Sequence, residues 1–181
     1  MHLDYADLLL TFYPGFFEKE WIRSIAPEKV YVEQIMDLSA FRCDSVQLTC
    51  PSQITFGLYE GDWEVLLAAV AEVQPNWLPY FKPGERVYCA MDGENIASFC
   101  LLREFGTYQG LRIGGPGCVG TVPRYRKQGI GLKMVQNVTI LLKEQGYDAS
   151  YIHHTGVGHW YAKLGYETVL RWNHKGILSQ A

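Results

Sequence analysis

The chain has 181 residues, and 48% of them are hydrophobic, which is enough to bury one substantial core. Its 16 basic and 19 acidic side chains give a formal net charge of −3, which excludes the strongly basic surface that binds nucleic acid or anionic membranes. The first ten residues are acidic where a signal peptide is basic, and no apolar run reaches the length of a membrane span, so we expect a cytoplasmic protein.

Residues 1–50 form an N-terminal extension to the main domain, which we place at residues 51–181. Apolar spacing predicts a helix over residues 3–12 and a second helix over residues 28–38, with a turn at residues 13–15. The extension is rich in aromatic and leucine side chains. We therefore expect it to pack on the main domain or on a partner rather than to remain in solvent.

The main domain begins with a strand over residues 53–60, in which apolar and less apolar side chains alternate. Gly61 and Asp62 then predict a turn and the N-cap of a helix. The helix carries apolar residues on one face at helical spacing, and Pro75 ends it.

A β-hairpin and a third strand follow. Residues 86–91 and 95–103 predict two antiparallel strands joined by a tight Asp-Gly turn. Residues 111–122 predict the third strand, which the glycines at residues 114–117 interrupt by a bulge or splay in its first half and which recovers from Cys118 to Val122.

The last part of the chain alternates between helix and strand. Apolar residues at helical spacing predict a helix that begins near Ile130 and ends at Gly146. A strand over residues 149–153, a helix over residues 159–164 and a strand over residues 166–172 follow. The strand, helix, strand order predicts a parallel pair joined by a right-handed crossover.

The five cysteines are odd in number and widely spread, and none belongs to a Cys-x-x-Cys pair. This pattern favours reduced thiols over a disulfide framework or a structural zinc site. The five residues are Cys43, Cys50, Cys89, Cys100 and Cys118.

Two glycine patterns invite comparison with phosphate-binding loops. Residues 115–120 match the spacing of the dinucleotide fingerprint, but the chain continues as an extended strand where that fingerprint needs a helix, so we interpret the match as accidental. No glycine is followed by lysine and then serine or threonine, which excludes a Walker loop. Residues 124–131 differ, because a strand, a proline turn and an amphipathic helix surround them, as anion capture by backbone amides requires.

Residues 121–131, Thr-Val-Pro-Arg-Tyr-Arg-Lys-Gln-Gly-Ile-Gly, resemble the acyl-CoA-binding motif of the GCN5-related N-acetyltransferase (GNAT) superfamily. Residues 160–167, Trp-Tyr-Ala-Lys-Leu-Gly-Tyr-Glu, resemble a second segment of that family at the expected distance. The resemblance covers residues 53–172. It implies a mixed α/β acyl-CoA N-acyltransferase fold: a mostly antiparallel central sheet, flanked by helices, in which one parallel strand pair splays apart.

The resemblance also implies acetyl-CoA as cosubstrate, no metal, and a set of binding residues. Main-chain groups of the splayed strand would pair with the pantetheine arm, and an N–H near Val119 would polarise the thioester carbonyl. The amides at the start of the following helix would hold the diphosphate. The implied cofactor-binding residues are Val119, Thr121, Arg126, Lys127, Gln128, Gly129, Ile130, Gly131 and Leu132.

Acetyl transfer to an amine needs an uncharged nucleophile, a stabilised oxyanion and a proton for the departing thiolate. Tyr161 matches a tyrosine that is a frequent general acid in the family. A phenol with an ordinary pKa of about 10 still carries its proton at neutral pH. The alternative is a packing role beside Trp160 and Tyr166.

The general base is open, because this chain has Gly115 where some relatives carry a glutamate. His153, His154 and His159 lie near the predicted site, and a neutral imidazole could accept a proton from the amine directly or through water. We take His154 and Glu104 as the candidates, with structural roles as the alternative for both. No carboxylate or thiol accompanies the histidines at ligand spacing, so no metal site is predicted.

We therefore predict an N-acetyltransferase that moves the acetyl group of acetyl-CoA directly to a primary amine. The acceptor is expected to be a small-molecule or peptide amine. Neither nucleic acid nor a membrane is an expected partner, and a homodimer stays open. The alternative function is a non-catalytic acyl-CoA-binding sensor or assembly module, which the missing strand glutamate and the aromatic N-terminal extension would both permit.

Overall fold

The computed structural model of the protein describes residues 3–42 and 46–181, and Cys43 lies outside them. The described residues contain five α-helices, at Tyr5–Phe12 (α1), Glu20–Arg23 (α2), Trp63–Val73 (α3), Ile130–Glu144 (α4) and Gly158–Tyr161 (α5). They contain eight strands, at Tyr31–Asp37 (β1), Ile54–Leu58 (β2), Val87–Asp92 (β3), Asn95–Tyr108 (β4), Leu111–Thr121 (β5), Ala149–Thr155 (β6), Glu167–Asn173 (β7) and Gly176–Gln180 (β8). Short 3-10 turns lie at Phe16–Glu18, Pro75–Tyr80, Pro123–Tyr125 and Ala162–Leu164.

All eight described strands belong to one sheet, in the order β2, β3, β4, β5, β6, β1, β7, β8. Neighbouring strands run antiparallel except β5 and β6, which run parallel. The predicted mixed α/β fold, with a mostly antiparallel sheet and one parallel pair, is therefore confirmed. The predicted hairpin between β3 and β4 is also present, with Gly93 at a φ of +59° in its turn.

Strand β1 corrects the sequence prediction, because the helix expected over residues 28–38 is wrong. Val32, Ile35 and Met36 have helical spacing, but β1 pairs with β6 on one side and with β7 on the other. Both faces of the sheet are covered at this position, and the strand is buried from Val32 to Met36 without alternation. A strand buried on both faces loses the period of two that identifies strands in a sequence.

Helices and the N-terminal segment cover the two faces of the sheet. Helix α4 packs on one face, where Met134 and Val138 join a core with Leu102 and Ile152. The other face carries two cores: α3 covers β3 and β4, and the N-terminal segment from α1 to α2 covers β6, β1 and β7. We refer to these two sides as the α4 face and the opposite face.

Local signals are confirmed at several helix ends. Asp62 caps α3, where its carboxylate accepts a hydrogen bond of 2.8 Å from the Glu64 N–H. Gly146 follows α4 with a φ of +75°, as the predicted glycine stop requires. The described cysteines Cys50, Cys89, Cys100 and Cys118 are unpaired thiols, and burial raises the pKa of each.

Candidate active site

Strands β5 and β6 pair over only two residue pairs, the second of which joins Gly114 to Ser150. Beyond this pair the two strands separate. A Cβ on Gly115 would lie 2.0 Å from the carbonyl oxygen of Tyr151, so the strands part at a position where only glycine fits. The edge of β5 that faces the gap keeps main-chain N–H and C=O groups without a strand partner.

Strand β5 is irregular in its second half. Cys118 has a φ of +48°, and the pairing of β5 with β4 skips a residue between Phe99 and Leu101. The bulge or splay expected in the first half is present, because the register with β4 shifts between Gly114 and Ile113 and β5 parts from β6 beyond Gly114. The recovery expected from Cys118 onwards is wrong, because Cys118 lies in a second bulge. The bulge at Cys118 bends the strand immediately before Val119, whose N–H is the expected oxyanion donor.

Helix α4 begins with a left-handed turn. Gly129 is its N-cap with a φ of +79°, and a Cβ there would lie 2.0 Å from the carbonyl oxygen of Thr49, so both conformation and space require glycine. The hydrogen bond of 3.0 Å from the Lys133 N–H to the Gly129 carbonyl closes the first turn. The amides of residues 130–132 precede it and point out of the helix end, where they can bind an anion.

The separated strands, the α4 turn and helix α5 enclose a cleft of about 590 Å³. Eight of the nine implied cofactor-binding residues line it. The ninth, Gln128, instead donates a side-chain hydrogen bond of 3.1 Å to the Arg124 carbonyl. The lining residues are Val119, Thr121, Tyr125, Arg126, Lys127, Gly129, Ile130, Gly131, Leu132, Val157, His159, Trp160, Tyr161 and Lys163.

The cleft is positively charged. Arg126, Lys127 and Lys163 line it, and no acidic residue belongs to its described lining. The Arg126 Nε donates a hydrogen bond of 3.0 Å to the Thr121 carbonyl, which fixes the guanidinium at the end of β5. The basic side chains attract an anion and the backbone amides fix its position. Sequence reasoning missed Lys163, which lies two residues after the predicted acid.

Tyr161 reaches the cleft from α5, and its side chain is almost fully buried. Its ring meets Trp160 edge-on with centroids 4.8 Å apart, and its hydroxyl makes no hydrogen bond with a described residue. Burial raises the pKa of Tyr161 well above its ordinary value, so the phenol is protonated at neutral pH. Tyr166 differs, because its hydroxyl bonds to Thr139 and Ser150 at 2.8 and 2.7 Å and is therefore part of the core.

His154, the predicted catalytic histidine, lies on the opposite face. Its ring sits among Trp21, Tyr31 and Trp172, with centroids 4.5 to 5.1 Å away. Burial lowers the pKa of His154 to about 4, so the ring is neutral at pH 7 and a weak base. The structure thus places this side chain in an aromatic cluster and not in the cleft.

Glu104, the other predicted candidate, lies before the point at which the strands separate. It stands opposite Gly114 in the β4 and β5 ladder. Its carboxylate accepts hydrogen bonds of 3.3 and 3.0 Å from Nε and Nη2 of Arg112, and this partner lowers the pKa of Glu104. The ion pair is exposed on the surface. The structure does not bring Glu104 to the cleft.

A cluster that sequence reasoning missed is centred on Glu33 of β1, which is fully buried. Its Oε2 accepts hydrogen bonds from the Tyr151 hydroxyl at 2.5 Å and from His153 Nδ1 at 2.9 Å. Its Oε1 accepts from Trp172 Nε1 at 2.7 Å and from the His154 N–H at 3.1 Å. Four donors converge on two oxygens, which is the arrangement that satisfies a buried carboxylate.

The sequence carried a signal for Glu33. It is the one charged residue between Tyr31 and Met36, and a charge inside a buried strand needs partners. The helix assignment concealed this signal, because a charged residue on an amphipathic helix belongs on the solvent face.

Two further findings concern the described residues only. Across residues 3–42 and 46–181, no three His, Cys, Asp or Glu side chains are grouped so that they could hold a metal ion. No helix in this part of the chain has both the length and the apolar character needed to cross a membrane. Of the three neighbouring histidines, His153 and His154 belong to the Glu33 cluster and His159 lines the cleft.

The family model of the GNAT acetyltransferase domain matches residues 83–168. The chain contains a GNAT acetyltransferase domain. The match spans the separated strands, the α4 turn and Tyr161, so the GNAT domain includes the whole cleft. Strand β1 and its Glu33 lie outside the match. No curated protein sequence matches the chain significantly.

Solved structures share the GNAT fold with this chain. The glucosamine N-acetyltransferase region of a fungal multi-domain GH3 β-N-acetylglucosaminidase is 22% identical with a TM-score of 0.66, over 80% of this chain and 20% of that one. A GNAT from Sphaerobacter thermophilus is 18% identical with a TM-score of 0.59, over 81% of this chain and 50% of that one. A GNAT-family protein from Novosphingobium aromaticivorans is 17% identical with a TM-score of 0.57, over 80% and 62%. The chain therefore spans less than two-thirds of the length of these solved chains.

Proposed function

We propose that this GNAT domain transfers the acetyl group of acetyl-CoA to the primary amine of a small molecule or peptide in the cytoplasm. The observation that carries the proposal is the cleft itself, in which an unpaired strand edge runs up to the free amides at the start of α4. Acetyl-CoA carries its thioester on a long arm that contains amides, and the arm ends in a diphosphate. The strand edge can hydrogen-bond the amides of the arm, and the free amides of α4 can bind the diphosphate.

The residues of the cleft divide into two groups. The amides of residues 130–132, with Arg126, Lys127 and Lys163 nearby, would hold the diphosphate. The free edge of β5 would hydrogen-bond the amides of the pantetheine arm and bring the thioester carbonyl to the Val119 N–H.

Direct transfer then needs one bond to form and one to break. The amine nitrogen attacks the thioester carbonyl carbon, and the oxyanion that develops is stabilised by the Val119 N–H. When the carbon–sulfur bond breaks, Tyr161 donates its proton to the thiolate. Burial raises the pKa of Tyr161, so the phenol carries the proton that the thiolate needs at every physiological pH.

The experiment that tests the function measures free coenzyme A thiol when the full chain is incubated with acetyl-CoA and a panel of primary amines. We expect thiol release that depends on the amine, and micromolar or tighter binding of coenzyme A by calorimetry. Lys163→Ala should weaken that binding several-fold, while Lys175→Ala, at an exposed lysine in the turn between β7 and β8, serves as the matched control.

Two results would contradict the proposal. Absence of coenzyme A binding removes the role of the cleft. Tight binding of coenzyme A without release of thiol by any amine favours the second candidate function, a non-catalytic acyl-CoA sensor. The observation that favours this candidate is Gly115, which has no side chain where some relatives carry a glutamate.

A further inference from the structure

The proposed mechanism lacks the group that removes a proton from the ammonium form of the acceptor. We propose that His153 is this general base, that Glu33 is its positioning residue, and that the acceptor reaches the thioester from the opposite face of the sheet. This proposal rests on the proposed function and adds the acceptor side to it.

A bulge in β6 puts His153 on that face. The pairing of β1 with β6 passes from Val32 and Thr155 directly to Gln34 and Ile152, so His153 and His154 together stand opposite Glu33. His154 has a φ of +53°, a conformation that few side chains adopt. The extra residue turns both consecutive imidazoles towards the N-terminal segment instead of to alternate faces.

The hydrogen bond to Glu33 fixes the proton on His153. A carboxylate can only accept, so Nδ1 donates, and in the uncharged form of the ring the lone pair is therefore on Nε2. Nε2 has no hydrogen bond with a described residue, and it is not among the buried atoms that lack a partner. With 17% of its side chain exposed, His153 therefore presents a basic nitrogen to solvent.

The N-terminal segment holds the imidazole ring in place. Tyr13 stacks on His153 with ring centroids 3.8 Å apart and an interplanar angle of 14°. Phe16 meets the same ring edge-on at 5.1 Å. Tyr13 stacks on one side of the ring and Glu33 accepts a hydrogen bond from Nδ1. Together these two contacts fix the orientation of the imidazole, as efficient proton transfer requires.

The gap between the strands connects His153 to the thioester position. His153 lies three residues beyond the last residue of β6 that pairs with β5. Cys118, at the bulge beside Val119, packs on the opposite face, where Tyr13 also lies, whereas Val119 packs on the α4 face. An amine that enters beside Tyr13 thus meets the carbonyl from the side away from the coenzyme.

The proton balance is complete. The ammonium N–H bond breaks, Nε2 takes the proton, and Glu33 stays a carboxylate beside the imidazolium. After the attack, the nitrogen loses a second proton. One of the two protons leaves through His153 to solvent and the other restores Tyr161, which has protonated the thiolate.

The titratable groups that face the His153 ring come from β1, the turn after α1 and β6. They are Glu33, Tyr13, Tyr151 and His154.

The test is the pH profile of kcat/KM for the acceptor found with the thiol assay. The wild type should lose activity towards low pH as one group is protonated. His153→Ala should lower kcat/KM by about 100-fold or more and abolish this acidic limb, and added imidazole should restore part of the rate. His174→Asn, a histidine in the turn between β7 and β8, is the control with an unchanged profile.

Glu33→Gln separates positioning from proton transfer. It should move the acidic limb to lower pH and reduce the rate about 10-fold, because the imidazolium loses its carboxylate. Thermal unfolding shows which variants are folded, and His153→Gln replaces the alanine variant if that one is not. An acidic limb that persists in a folded His153 variant, or a failure of imidazole to restore its rate, overturns the proposal. A wild type that releases no thiol with any amine instead contradicts the proposed function.

An independent observation on the same face concerns Arg103 of β4. Its side chain is only partly exposed, yet it makes no hydrogen bond or ion pair with a described residue. Its stem passes over Gly117, where a Cβ would lie 2.8 Å from the Arg103 Cγ. Gly117 directly precedes Cys118, so the Arg103 side chain lies beside the bulge at the proposed acceptor entrance.

We infer that the acceptor carries an anionic group, a carboxylate or a phosphate monoester, that pairs with Arg103. A partly desolvated guanidinium without a counter-ion is unfavourable, and an anion supplies the missing charge and hydrogen bonds. Among the described residues no carboxylate forms an ion pair with Arg103, and the Glu33 oxygens already accept four hydrogen bonds.

Paired acceptors test this inference in the same thiol assay. One pair is an α-amino acid and its amide, and the other is an aminoalkyl phosphate and the matching amino alcohol. The wild type should prefer the anion of one pair by about 10- to 100-fold in kcat/KM, and Arg103→Gln should remove that preference, whereas the exposed Arg171→Gln should retain it. Equal rates within both pairs, or a preference that survives in folded Arg103→Gln, overturns the inference, while absence of all transfer contradicts the proposed function alone.

Discussion

At the scale of single residues, the sheet separates two polar groups that the proposed reaction needs. Tyr161 is buried in the cleft on the α4 face, and His153 lies beside Glu33 on the opposite face. Burial raises the pKa of the phenol and thereby retains its proton. The imidazole, in contrast, keeps a free nitrogen because Glu33 occupies the other one. Acid and base are thus kept apart by the strands between which the thioester would lie.

Tyr161→Phe tests the acid. Removing the hydroxyl should lower turnover by ~100-fold or more and leave coenzyme A affinity nearly unchanged, because the proton is needed only when the thiolate leaves. Tyr166→Phe is the matched control. It removes hydrogen bonds to Thr139 and Ser150 and should cost about 1 to 2 kcal/mol of stability with little change in turnover. Equal turnover in Tyr161→Phe and wild type would rule out the role.

His154 makes a prediction about stability and pH. Its pKa is about 4 in the folded chain against about 6.5 when unfolded, because burial disfavours the charged ring. Between these values the unfolded chain binds more protons, so the free energy of unfolding falls as pH decreases from 6.5 to 4, by up to about 1.4 kcal/mol per unit from this group. His154→Asn, which tolerates the positive φ, should flatten that slope in urea titrations. If the free energy of unfolding depends on pH in the same way in the wild type and in His154→Asn, the lowered pKa of His154 is contradicted.

At the scale of elements, the turn into α4 depends on one glycine for two reasons. Gly129 has a positive φ and is crowded by the Thr49 carbonyl, whereas Gly146 at the other end of the helix has a positive φ and open space around it. Gly146→Ala should therefore cost about 1 to 2 kcal/mol through conformation alone. Gly129→Ala should cost more and should also weaken coenzyme A binding. If chemical denaturation shows that both variants lose the same free energy of unfolding, the Thr49 carbonyl can move away from the added Cβ without a measurable energetic cost.

The sequence correctly predicted elements that are buried on one face only, and it failed for a strand that is buried on both faces. Helix α4 has an apolar stripe facing the sheet, so its period and its glycine stop were visible in the sequence. Strand β1 is buried on both faces, so its apolar run had no period of two, and the spacing of Val32, Ile35 and Met36 suggested a helix. The glycines before Cys118 predicted irregularity in the first half of β5, which is present, but the bulge at Cys118 was not predicted, because a cysteine is not a residue that favours a positive φ.

At the scale of the whole molecule, the N-terminal segment contributes an interior strand to the sheet. Strand β1 has hydrogen-bonded neighbours on both sides, while β8 has one neighbour and is exposed over most of its length. The proposed acceptor side of the site lies where β1 pairs with β6, so it forms only when the sheet itself forms.

Native-state hydrogen exchange checks this architecture. Amides of β1 and β6 should exchange with the same free energy, close to that of global unfolding, and amides of β8 should exchange more easily. The physical reason is that an interior strand cannot leave without breaking two ladders. Faster exchange of β1 than of β6 would mean that the N-terminal segment opens independently of the rest of the sheet.

The sequence by itself determined the coenzyme side of the proposed site. The turn from Arg124 to Gly131 and the segment that contains Tyr161 hold their chemistry in consecutive residues, where local conformation and helix-end amides are sufficient to predict an anion site. Only the tertiary structure decided the acceptor side, because Glu33 meets His153 and Trp172 across more than a hundred positions of chain. Such contacts depend on the order of strands in the sheet and on a bulge that no local pattern encodes.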